Sequence, residues 1–326
     1  MARTPDRYSL VADIGGTNTR VALAERRRVV PETVRRYRNA DHPGLDSVLR
    51  EFLDAEGGVD CTGACVAVAG PVRDGVGELT NLDWRIDAAS VAKAAKAETV
   101  SILNDLQAQG FALEHLSNDS LRPIIPMPDA APDATRLVVG AGTGFNSATA
   151  YHTRRGRIVP PAESGHANMP IRNEADLRLA KFVETAHGFP GIEDVLAGRG
   201  LERIYAWVGH EAGEIVEKRA ADIMAGLADG SDPRAEDTAR VYVRLFGSVV
   251  GNLALNQLPF GGIYLIGGVA TAFAPYFERF GFTEAFRDKG RFAGFMGNFG
   301  VSVVEDDYAA LTGCASHLEE VMSHGA

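Results

Sequence analysis

Residues 8–24 read YSLVADIGGTNTRVALA, which is two apolar stretches separated by a polar segment that contains two glycines. Tyr8 to Ile14 is typical of a β-strand, and so is Thr19 to Ala24. The Gly-Gly pair between them suits a tight turn, because glycine tolerates a positive φ. Successive backbone N–H groups in such a turn form an anion-binding concavity, to which the following Thr and Asn add side-chain donors. The stretch therefore predicts a hairpin whose turn binds phosphate through Gly15, Gly16, Thr17 and Asn18.

Asp13 lies at the end of the first of these strands, one residue before its last residue, Ile14. An ionised carboxylate only accepts hydrogen bonds, so it suits a hydrated Mg²⁺ better than a bare phosphate. We therefore expect Asp13 to hold Mg²⁺ through water. Two glycines alone would favour a plain hairpin turn. The acidic residue at the strand end, with Thr and Asn after the glycines, favours a binding site instead.

A second strand–turn–strand unit lies further along the chain. Arg136 to Val139 and Phe145 to Tyr151 flank the segment Gly140-Ala141-Gly142-Thr143-Gly144. These glycines do not form the dinucleotide fingerprint, which opens a helix, and the Walker pattern is absent. Because the two units repeat one order, they indicate an internal duplication. Together they predict two hairpins that grip one polyphosphate from both sides.

Composition narrows the class of protein. The chain has 326 residues, 45% of them apolar, which indicates a globular protein of two domains. Its formal net charge of -10 disfavours binding to nucleic acid or to an anionic membrane. There is no signal-peptide pattern at the N-terminus and no apolar run of transmembrane length. The three cysteines, Cys61, Cys65 and Cys314, match no zinc or redox spacing and are expected to be buried thiols in a reducing cytosol.

Strands and helices alternate along the chain, which predicts an α/β fold. Four prolines between Asp119 and Thr135 predict a loop or an extended crossing segment there. The further predicted elements are strands over Val29 to Arg38, Ala64 to Ala69, Val100 to Leu103 and Gly262 to Ile266, and helices over Leu45 to Ala55, Glu174 to His187, Gly200 to Val208, Glu236 to Leu258 and Tyr308 to Met322. The apolar face of the helix over Glu236 to Leu258 suits either a core or an interface.

Three further segments carry polar groups or glycines where a site would need them. Asn104 and Asp105 follow a strand, where an ionised carboxylate is well placed to accept a hydroxyl proton. Glu163-Ser164-Gly165-His166 offers an acceptor and a donor for sugar hydroxyls. Gly261 to Gly268 is a buried strand between glycine pairs that can pass close to an adenine ring. Taken singly, these are more often a helix cap, a solvated loop and a core strand.

In this order the segments resemble bacterial glucokinases, within the superfamily of ATPases that includes hexokinase and actin. The resemblance runs from Leu10 to Leu318. Its most specific pieces are Asp13-Ile14-Gly15-Gly16-Thr17-Asn18, Leu103-Asn104-Asp105, Gly142-Thr143-Gly144, Glu163-x-Gly165-His166, Val195-Leu196-Ala197-Gly198-Arg199-Gly200-Leu201 and Asp288-Lys289-Gly290-Arg291-Phe292.

The resemblance implies a two-domain ribonuclease H-like (actin-like ATPase) fold with an interdomain cleft. The small domain would comprise residues 1–115 plus about 306–326, and the large domain 116–305. It implies ATP and Mg²⁺ as cofactors, glucose or a related hexose as substrate, a homodimer and a cytoplasmic location. The activity implied is ATP-dependent phosphorylation of glucose at the 6-hydroxyl.

The resemblance also implies roles for individual residues. Asp105 would be the base that acts on the sugar 6-hydroxyl, and Gly15, Gly16, Thr17 and Asn18 would face the terminal phosphates. The residues that would hold the other hydroxyls are Asn104, Glu163, His166 and Glu193. The second phosphate turn would be Gly142 and Thr143, and the adenosine wall Gly267 and Gly268.

Two positions depart from the family pattern. Asn146 stands where a glycine is usual after the second turn, and Ser164 replaces the first glycine of Glu-Gly-Gly-His. Asparagine tolerates a positive φ better than most residues, and Ser164 adds a hydroxyl beside the sugar. A kinase for another hexose or amino sugar, a non-catalytic sugar-sensing protein and a chaperone-like or structural ATPase are the alternatives. Lys289 and Arg291 suit either a basic loop near the nucleotide or a solvated turn.

Overall fold

The structure, a computed structural model, describes residues 7–79 and 82–324, with the backbone only for His187 and His324. Its strands are β1 (Tyr8–Ile14), β2 (Asn18–Glu25), β3 (Arg28–Val29), β4 (Arg35–Arg38), β5 (Cys61–Val68), β6 (Val72–Arg73), β7 (Val76–Glu78), β8 (Arg85–Asp87), β9 (Thr99–Asn104), β10 (Leu121–Ile125), β11 (Arg136–Ala141), β12 (Phe145–Thr153), β13 (Gly156–Ile158), β14 (Ile263–Ile266) and β15 (Val301–Val304). Its α-helices are α1 (Leu45–Ala55), α2 (Ala88–Ala95), α3 (Asp105–Ala112), α4 (Glu174–His187), α5 (Glu193–Leu196), α6 (Gly198–Glu211), α7 (Ala220–Asp229), α8 (Pro233–Gln257), α9 (Gly268–Phe273), α10 (Phe282–Arg287) and α11 (Ala309–His324). Within the described ranges, no helix has both the length and the apolar character needed to cross a membrane.

The chain divides into two compact units. Unit 1 contains the N-terminal part up to Leu116, the segment Thr153–Pro161 and the C-terminal part from Asp306. Unit 2 contains Ser117–His152 and Ala162–Glu305. Strand β13 therefore lies in unit 1, although the chain on both sides of its segment belongs to unit 2.

Unit 1 is built around a sheet in the order β3-β2-β1-β5-β9, with β4 also paired to β2. β1 is antiparallel to β2 and parallel to β5, which in turn is parallel to β9. Apolar side chains of α1, such as Val48 and Phe52, form one core cluster with Leu10 and Ile14 of β1. Helix α11 packs against α3, where a Cβ on Gly313 would collide with the carbonyl of Ala108.

Unit 2 has its own sheet, in which the strands follow the order β10-β15-β14-β11-β12. β11 is antiparallel to β12 and parallel to β14, which is parallel to β15. Helix α8 supplies the centre of the core, with Tyr242 stacked on Phe273 and Phe246 against Phe282. Because Leu245 and Val249 are buried in this core, the apolar face of α8 serves the interior of the unit.

Both sheets repeat one pattern, in which a hairpin is followed by two parallel strands. The order β2-β1-β5-β9 in unit 1 corresponds to β12-β11-β14-β15 in unit 2. The two glycine hairpins predicted from sequence are confirmed. Their shared strand order is the order expected from an internal duplication. The predicted helices over Leu45–Ala55 and Glu174–His187 are confirmed at both ends.

All three cysteines are buried with free thiols, and burial raises the pKa of Cys61 to about 12.

The continuous strand predicted over Val29 to Arg38 is wrong. A 3₁₀ turn at Pro31–Thr33 separates β3 from β4, because proline fixes φ and has no N–H to donate to a ladder. The hydroxyl of Thr33 accepts a hydrogen bond from the Leu23 amide at 2.9 Å and anchors this turn. The proline-containing segment after Asp119 includes the strand β10, which lies at the edge of its sheet and pairs with β15, and proline is tolerated at a sheet edge.

Candidate active site

The first glycine turn closes the β1–β2 hairpin. Asp13 pairs with Arg20 in the strand register, and the Gly15 amide donates to the carbonyl of Asn18 at 3.0 Å. Gly16 and Thr17 are exposed, and their amides have no acceptor among the described residues. Two adjacent, unsatisfied N–H groups at the surface are the donors that an anion needs. The geometry of the turn therefore suits phosphate.

Asn39 holds this turn in place. Its buried side chain donates from Nδ2 to the Gly15 carbonyl at 2.8 Å, and its Oδ1 accepts from the Thr19 hydroxyl at 2.8 Å. Its backbone amide donates to the Thr17 carbonyl at 2.9 Å. Sequence reasoning missed Asn39, because only the pairing of β4 with β2 brings it to the turn. It is a positioning residue, since it occupies the carbonyls of the turn and leaves the amides to a ligand.

Asp13 is half-buried, and its Oδ2 lies 3.3 Å from the guanidinium of Arg20. Burial raises the pKa of Asp13, and the charge and hydrogen bond of Arg20 oppose that shift. The described residues contain no cluster of three or more side chains able to hold a metal ion. A single carboxylate is enough for Mg²⁺, because this ion keeps several waters and takes the rest of its ligands from substrate phosphates.

The second glycine turn closes the β11–β12 hairpin in unit 2. The Gly142 amide donates to the Gly144 carbonyl at 2.9 Å, and the Gly198 amide donates to the Gly142 carbonyl at 2.8 Å. The exposed Thr143 and Gly144 have no acceptor for their amides in the part of the chain that the structure describes. This turn therefore repeats the donor arrangement of the first.

Gly267 and Gly268 lie beside the second turn. A Cβ on Gly142 would be 3.8 Å from the Gly268 nitrogen. Gly267 has φ +95°, and a Cβ there would be 2.5 Å from the Ala141 carbonyl. Only glycine fits this backbone, for both reasons. The structure thus brings together the residues predicted for the second phosphate turn and for the adenosine wall.

Glu193 joins the second turn from the start of α5. Its Oε2 accepts a hydrogen bond from the Phe145 amide at 2.8 Å, and a Cβ on Gly144 would be 2.7 Å from the same oxygen. A Cβ on Gly165 would collide with the Phe145 carbonyl and lie 3.3 Å from the Glu193 Cβ. Glu193, which is predicted to bind the sugar, therefore lies beside both the second turn and the Glu163-x-x-His166 segment in unit 2.

Glu163 and His166 bracket the 3₁₀ turn Ser164–His166. Both side chains are exposed, and the His166 amide donates to the Glu163 carbonyl at 3.2 Å. The carboxylate of Glu163 lies 3.5 Å from Nδ2 of Asn146. One tight turn thus presents a carboxylate and an imidazole, which accept from and donate to hydroxyl groups.

Asn146 and Ser164, the two departures from the family pattern, are hydrogen-bonded to each other. Oδ1 of Asn146 accepts from the Ser164 amide at 3.0 Å and from its hydroxyl at 3.2 Å, and Nδ2 donates to the Ala162 carbonyl at 2.6 Å. Asn146 lies in β12 opposite Gly140 and is not among the residues with positive φ. Its tolerance of positive φ therefore does not explain its presence, whereas its side-chain hydrogen bonds do.

Asn104 and Asp105 begin α3 through a complete capping box. Oδ1 of Asn104 accepts from the Leu106 amide at 3.0 Å, and the Asn104 amide donates to Oε1 of Gln107 at 3.0 Å. One carboxylate oxygen of Asp105 accepts from the Leu106 amide at 2.8 Å. These bonds fix the Asp105 carboxylate at the carboxyl end of β9.

Gln107 also ties the start of α3 to the segment Thr153–Pro161. Its Nε2 donates to the Val159 carbonyl at 2.7 Å, and a Cβ on Gly110 would be 2.6 Å from the Val159 side chain. Arg157 anchors the same segment, because its buried guanidinium donates to the Phe111 carbonyl at 2.8 Å and pairs with Glu320 at 2.7 Å. Sequence reasoning missed both residues, since no spacing links them to Asp105.

Of the basic pair Lys289 and Arg291, Lys289 does not lie in a solvated turn. Its ammonium donates to the Ser248 carbonyl at 3.0 Å and to Oδ1 of Asn252 at 2.8 Å, so it fastens its loop to α8. Burial lowers the pKa of Lys289. Arg291 is exposed, with its guanidinium 5.6 Å from the ring centre of Phe292. The pair therefore divides into one structural and one surface residue.

Two glycine hairpins, each followed by parallel strands, together with polar side chains beside the second hairpin that are able to bind hydroxyl groups, define a sugar kinase of the actin-like ATPase class. Residues 10–321 match the family model described as Glucokinase. The chain is 30% identical over 317 residues to the glucokinase of Erwinia tasmaniensis, covering 97% of this chain and 98% of that protein. It is 32% identical over 319 residues to the glucokinase of Rhizobium johnstonii, covering 97% and 93%.

A solved structure agrees with these relatives. The glucokinase from an Antarctic psychrotroph superposes with a TM-score of 0.86 at 28% identity, covering 98% of this chain and 99% of that one. The chain belongs to the Glucokinase family.

Proposed function

We propose that this protein transfers the terminal phosphoryl group of ATP to the 6-hydroxyl of glucose. Membership of the Glucokinase family over residues 10–321 supports the activity as a whole. The observation that carries the proposal is the hydrogen bond between Glu193 and the Phe145 amide. It connects a residue that is predicted to bind the sugar to a turn that is predicted to bind phosphate.

Asp105 is the proposed base. In the transfer, a bond forms between the sugar O6 and the γ-phosphorus while the bond from that phosphorus to the β–γ bridging oxygen breaks. The hydroxyl proton passes to the Asp105 carboxylate, which its bond from the Leu106 amide holds in one orientation. Positioning supplies most of the rate enhancement, since a loose phosphoryl-transfer transition state needs little covalent help.

Four residues are proposed to hold the other sugar hydroxyls: Asn104, Glu163, His166 and Glu193. Nδ2 of Asn104 donates one hydrogen to the Gly70 carbonyl at 3.0 Å, and its second hydrogen remains for a hydroxyl. Glu193 uses Oε2 for the Phe145 amide, and its other oxygen is the proposed hydroxyl acceptor.

The phosphates of ATP are proposed to bind the amides of the two glycine turns, with Thr17, Asn18 and Thr143 as further donors. Gly267 and Gly268 supply the adenosine wall, because their lack of side chains leaves a flat backbone surface. Asp13 is proposed to hold Mg²⁺ through water. When bound, Mg²⁺ would neutralise the phosphate oxygens.

A coupled assay of ADP release tests the activity. Glucose, mannose, fructose and N-acetylglucosamine should be compared at saturating ATP. We expect glucose to give the highest kcat/KM. Faster turnover of another sugar would make the protein a kinase for that sugar. Sugar binding without ADP release would make it a sensor, and ADP release unaffected by any sugar would make it an ATPase.

A homodimer and a cytoplasmic location are also proposed, on the resemblance to the family. Sedimentation velocity at several protein concentrations tests the first of these. A single species with the mass of one chain would contradict it. Fractionation of cells that express the protein tests the second, and recovery with the membrane or outside the cell would contradict it.

A further inference from the structure

A row of arginines lies on one face of the unit 1 sheet. Asp13 of β1 is paired with Arg20 of β2, and Arg20 is paired with Arg36 of β4. On the same strands, Asn18 is paired with Arg38. Residues that are directly opposite in antiparallel strands place their side chains on the same face, and so do alternate residues along one strand. Arg36 and Arg38 therefore share the face that carries Asp13 and Asn18.

The charges in this row are only partly neutralised. Arg20 pairs with Asp13 at 3.3 Å. Arg36 and Arg38 are exposed, and neither has an acidic partner within 4.0 Å in residues 7–79 and 82–324. The whole chain has a net charge of -10. The two unpaired arginines beside the first glycine turn therefore give this part of the surface a charge of the opposite sign.

Asn39 fixes this row relative to the turn. It follows Arg38 directly, and its amide and side chain bind the carbonyls of Thr17 and Gly15. The end of β4 is therefore hydrogen-bonded to the turn at two points. Arg38 is paired in the strand register with Asn18, the residue that follows Gly16 and Thr17, whose exposed amides are the proposed anion-binding groups of this turn.

We propose that Arg36 and Arg38 form a cationic subsite for the triphosphate of the bound nucleotide. The proposal rests on the proposed function, because it assigns the ligand of the first turn. The amides of the turn provide short-range hydrogen bonds, and the two guanidinium groups offset the repulsion between a polyanion and an acidic protein. Arg38 is the nearer member, and Arg36 extends the subsite along the same face.

A purely structural role for these residues makes a different prediction. Arginines at a sheet edge discourage pairing with other chains, and that role affects aggregation but not affinity for phosphate. Arg35 provides a matched control. It lies on the same strand with its side chain on the opposite face, where it pairs with Glu56 at 3.1 Å.

The test is titration calorimetry of the full chain with tripolyphosphate, MgATP and glucose 6-phosphate, at low and at moderate salt. The variants are R36Q, R38Q, the double variant and the control R35Q. We expect the double variant to bind tripolyphosphate and MgATP about 3- to 10-fold more weakly at low salt, with a smaller dependence on salt. R35Q should stay within about twofold of the wild type, and R36K/R38K should recover most of the affinity, because the charge is kept.

Unchanged affinity in the double variant would overturn the subsite, and so would an equal loss in R35Q. A loss confined to glucose 6-phosphate would assign the arginines to the sugar phosphate instead. Tripolyphosphate binding requires neither sugar nor turnover. Failure of the proposed kinase activity is therefore recognised separately, by the absence of ADP release in a protein that still binds the anion through Arg36 and Arg38.

Discussion

The amide oxygen of Asn146 accepts hydrogen bonds from the backbone amide of Ser164 at 3.0 Å and from its hydroxyl at 3.2 Å. The same Ser164 hydroxyl accepts from the hydroxyl of Ser147 at 2.9 Å. The hydroxyl of Ser164, which is expected to lie beside the sugar, is therefore hydrogen-bonded to two residues of β12. Because the two departures from the family pattern bind each other, they act as one substitution that fixes the Glu163–His166 turn.

A double-mutant cycle with N146G and S164G tests this coupling. Each single variant should be destabilised, since it leaves a partner of the other residue unsatisfied. The double variant should be more stable than the sum of the two predicts, with a coupling energy of about 1 kcal/mol. Urea unfolding measures this quantity. Strictly additive free energies of unfolding would mean that the two side chains are independent.

Replacing Asp105 by Asn should separate binding from chemistry. Asparagine keeps an oxygen that accepts from the Leu106 amide, so α3 should begin as it does now. Without a carboxylate, the sugar hydroxyl has no base, and kcat should fall by about 10²- to 10⁴-fold. The affinity for glucose, measured by calorimetry, should change little. Turnover near the wild-type rate would exclude Asp105 as the base.

Two substitutions at Glu193 should differ in which substrate they affect. Glutamine keeps an acceptor for the Phe145 amide but loses the charge, so E193Q should raise the KM for glucose and leave that for ATP near normal. E193A removes the acceptor as well and should raise both KM values. Initial rates over a grid of both substrates measure this difference. Equal effects of the two variants would show that the bond to the turn has no influence on nucleotide binding.

Gln107 should influence catalysis without touching the substrate. Q107A removes the hydrogen bonds to the Asn104 amide and to the Val159 carbonyl, at a cost of about 1 kcal/mol each. The start of α3 should loosen, and kcat should fall several-fold while the KM for ATP stays constant. Q109A, two residues further along the same helix, is the matched control. A similar loss in both variants would mean a general weakening of α3.

Stability should fall in mild acid because of His317 in α11. Burial lowers the pKa of His317 to about 4, whereas its ordinary value is 6.5. Between these values the unfolded state binds more protons than the folded state, so stability is full above about pH 6.5 and falls towards pH 4. H317Q should lose less stability over this window, as thermal unfolding at several pH values would show. Parallel curves for both proteins would argue that His317 does not contribute.

The sequence by itself determined the parts of this protein whose causes are local. The two glycine hairpins follow from alternating apolar strands around residues that suit tight turns. The helix Leu45–Ala55 follows from its apolar spacing, and Glu174–His187 also has an Asn173 cap that accepts from the Asp176 amide at 2.9 Å. The family resemblance then identified the polar residues near these turns, because motifs retain their order along the chain.

Only the tertiary structure decided which residues hold the site together. Asn39 reaches Gly15 across 24 residues, Glu193 reaches Phe145 across 48, and Gln107 reaches Val159 across 52. Such contacts depend on strand register and on how helices pack, and neither leaves a periodic signal in one sequence. The break between β3 and β4 has the same origin, since the Thr33–Leu23 bond that stabilises it forms only once β2 is in place. Local sequence therefore specifies the two turns, and long-range packing specifies the residues that orient them.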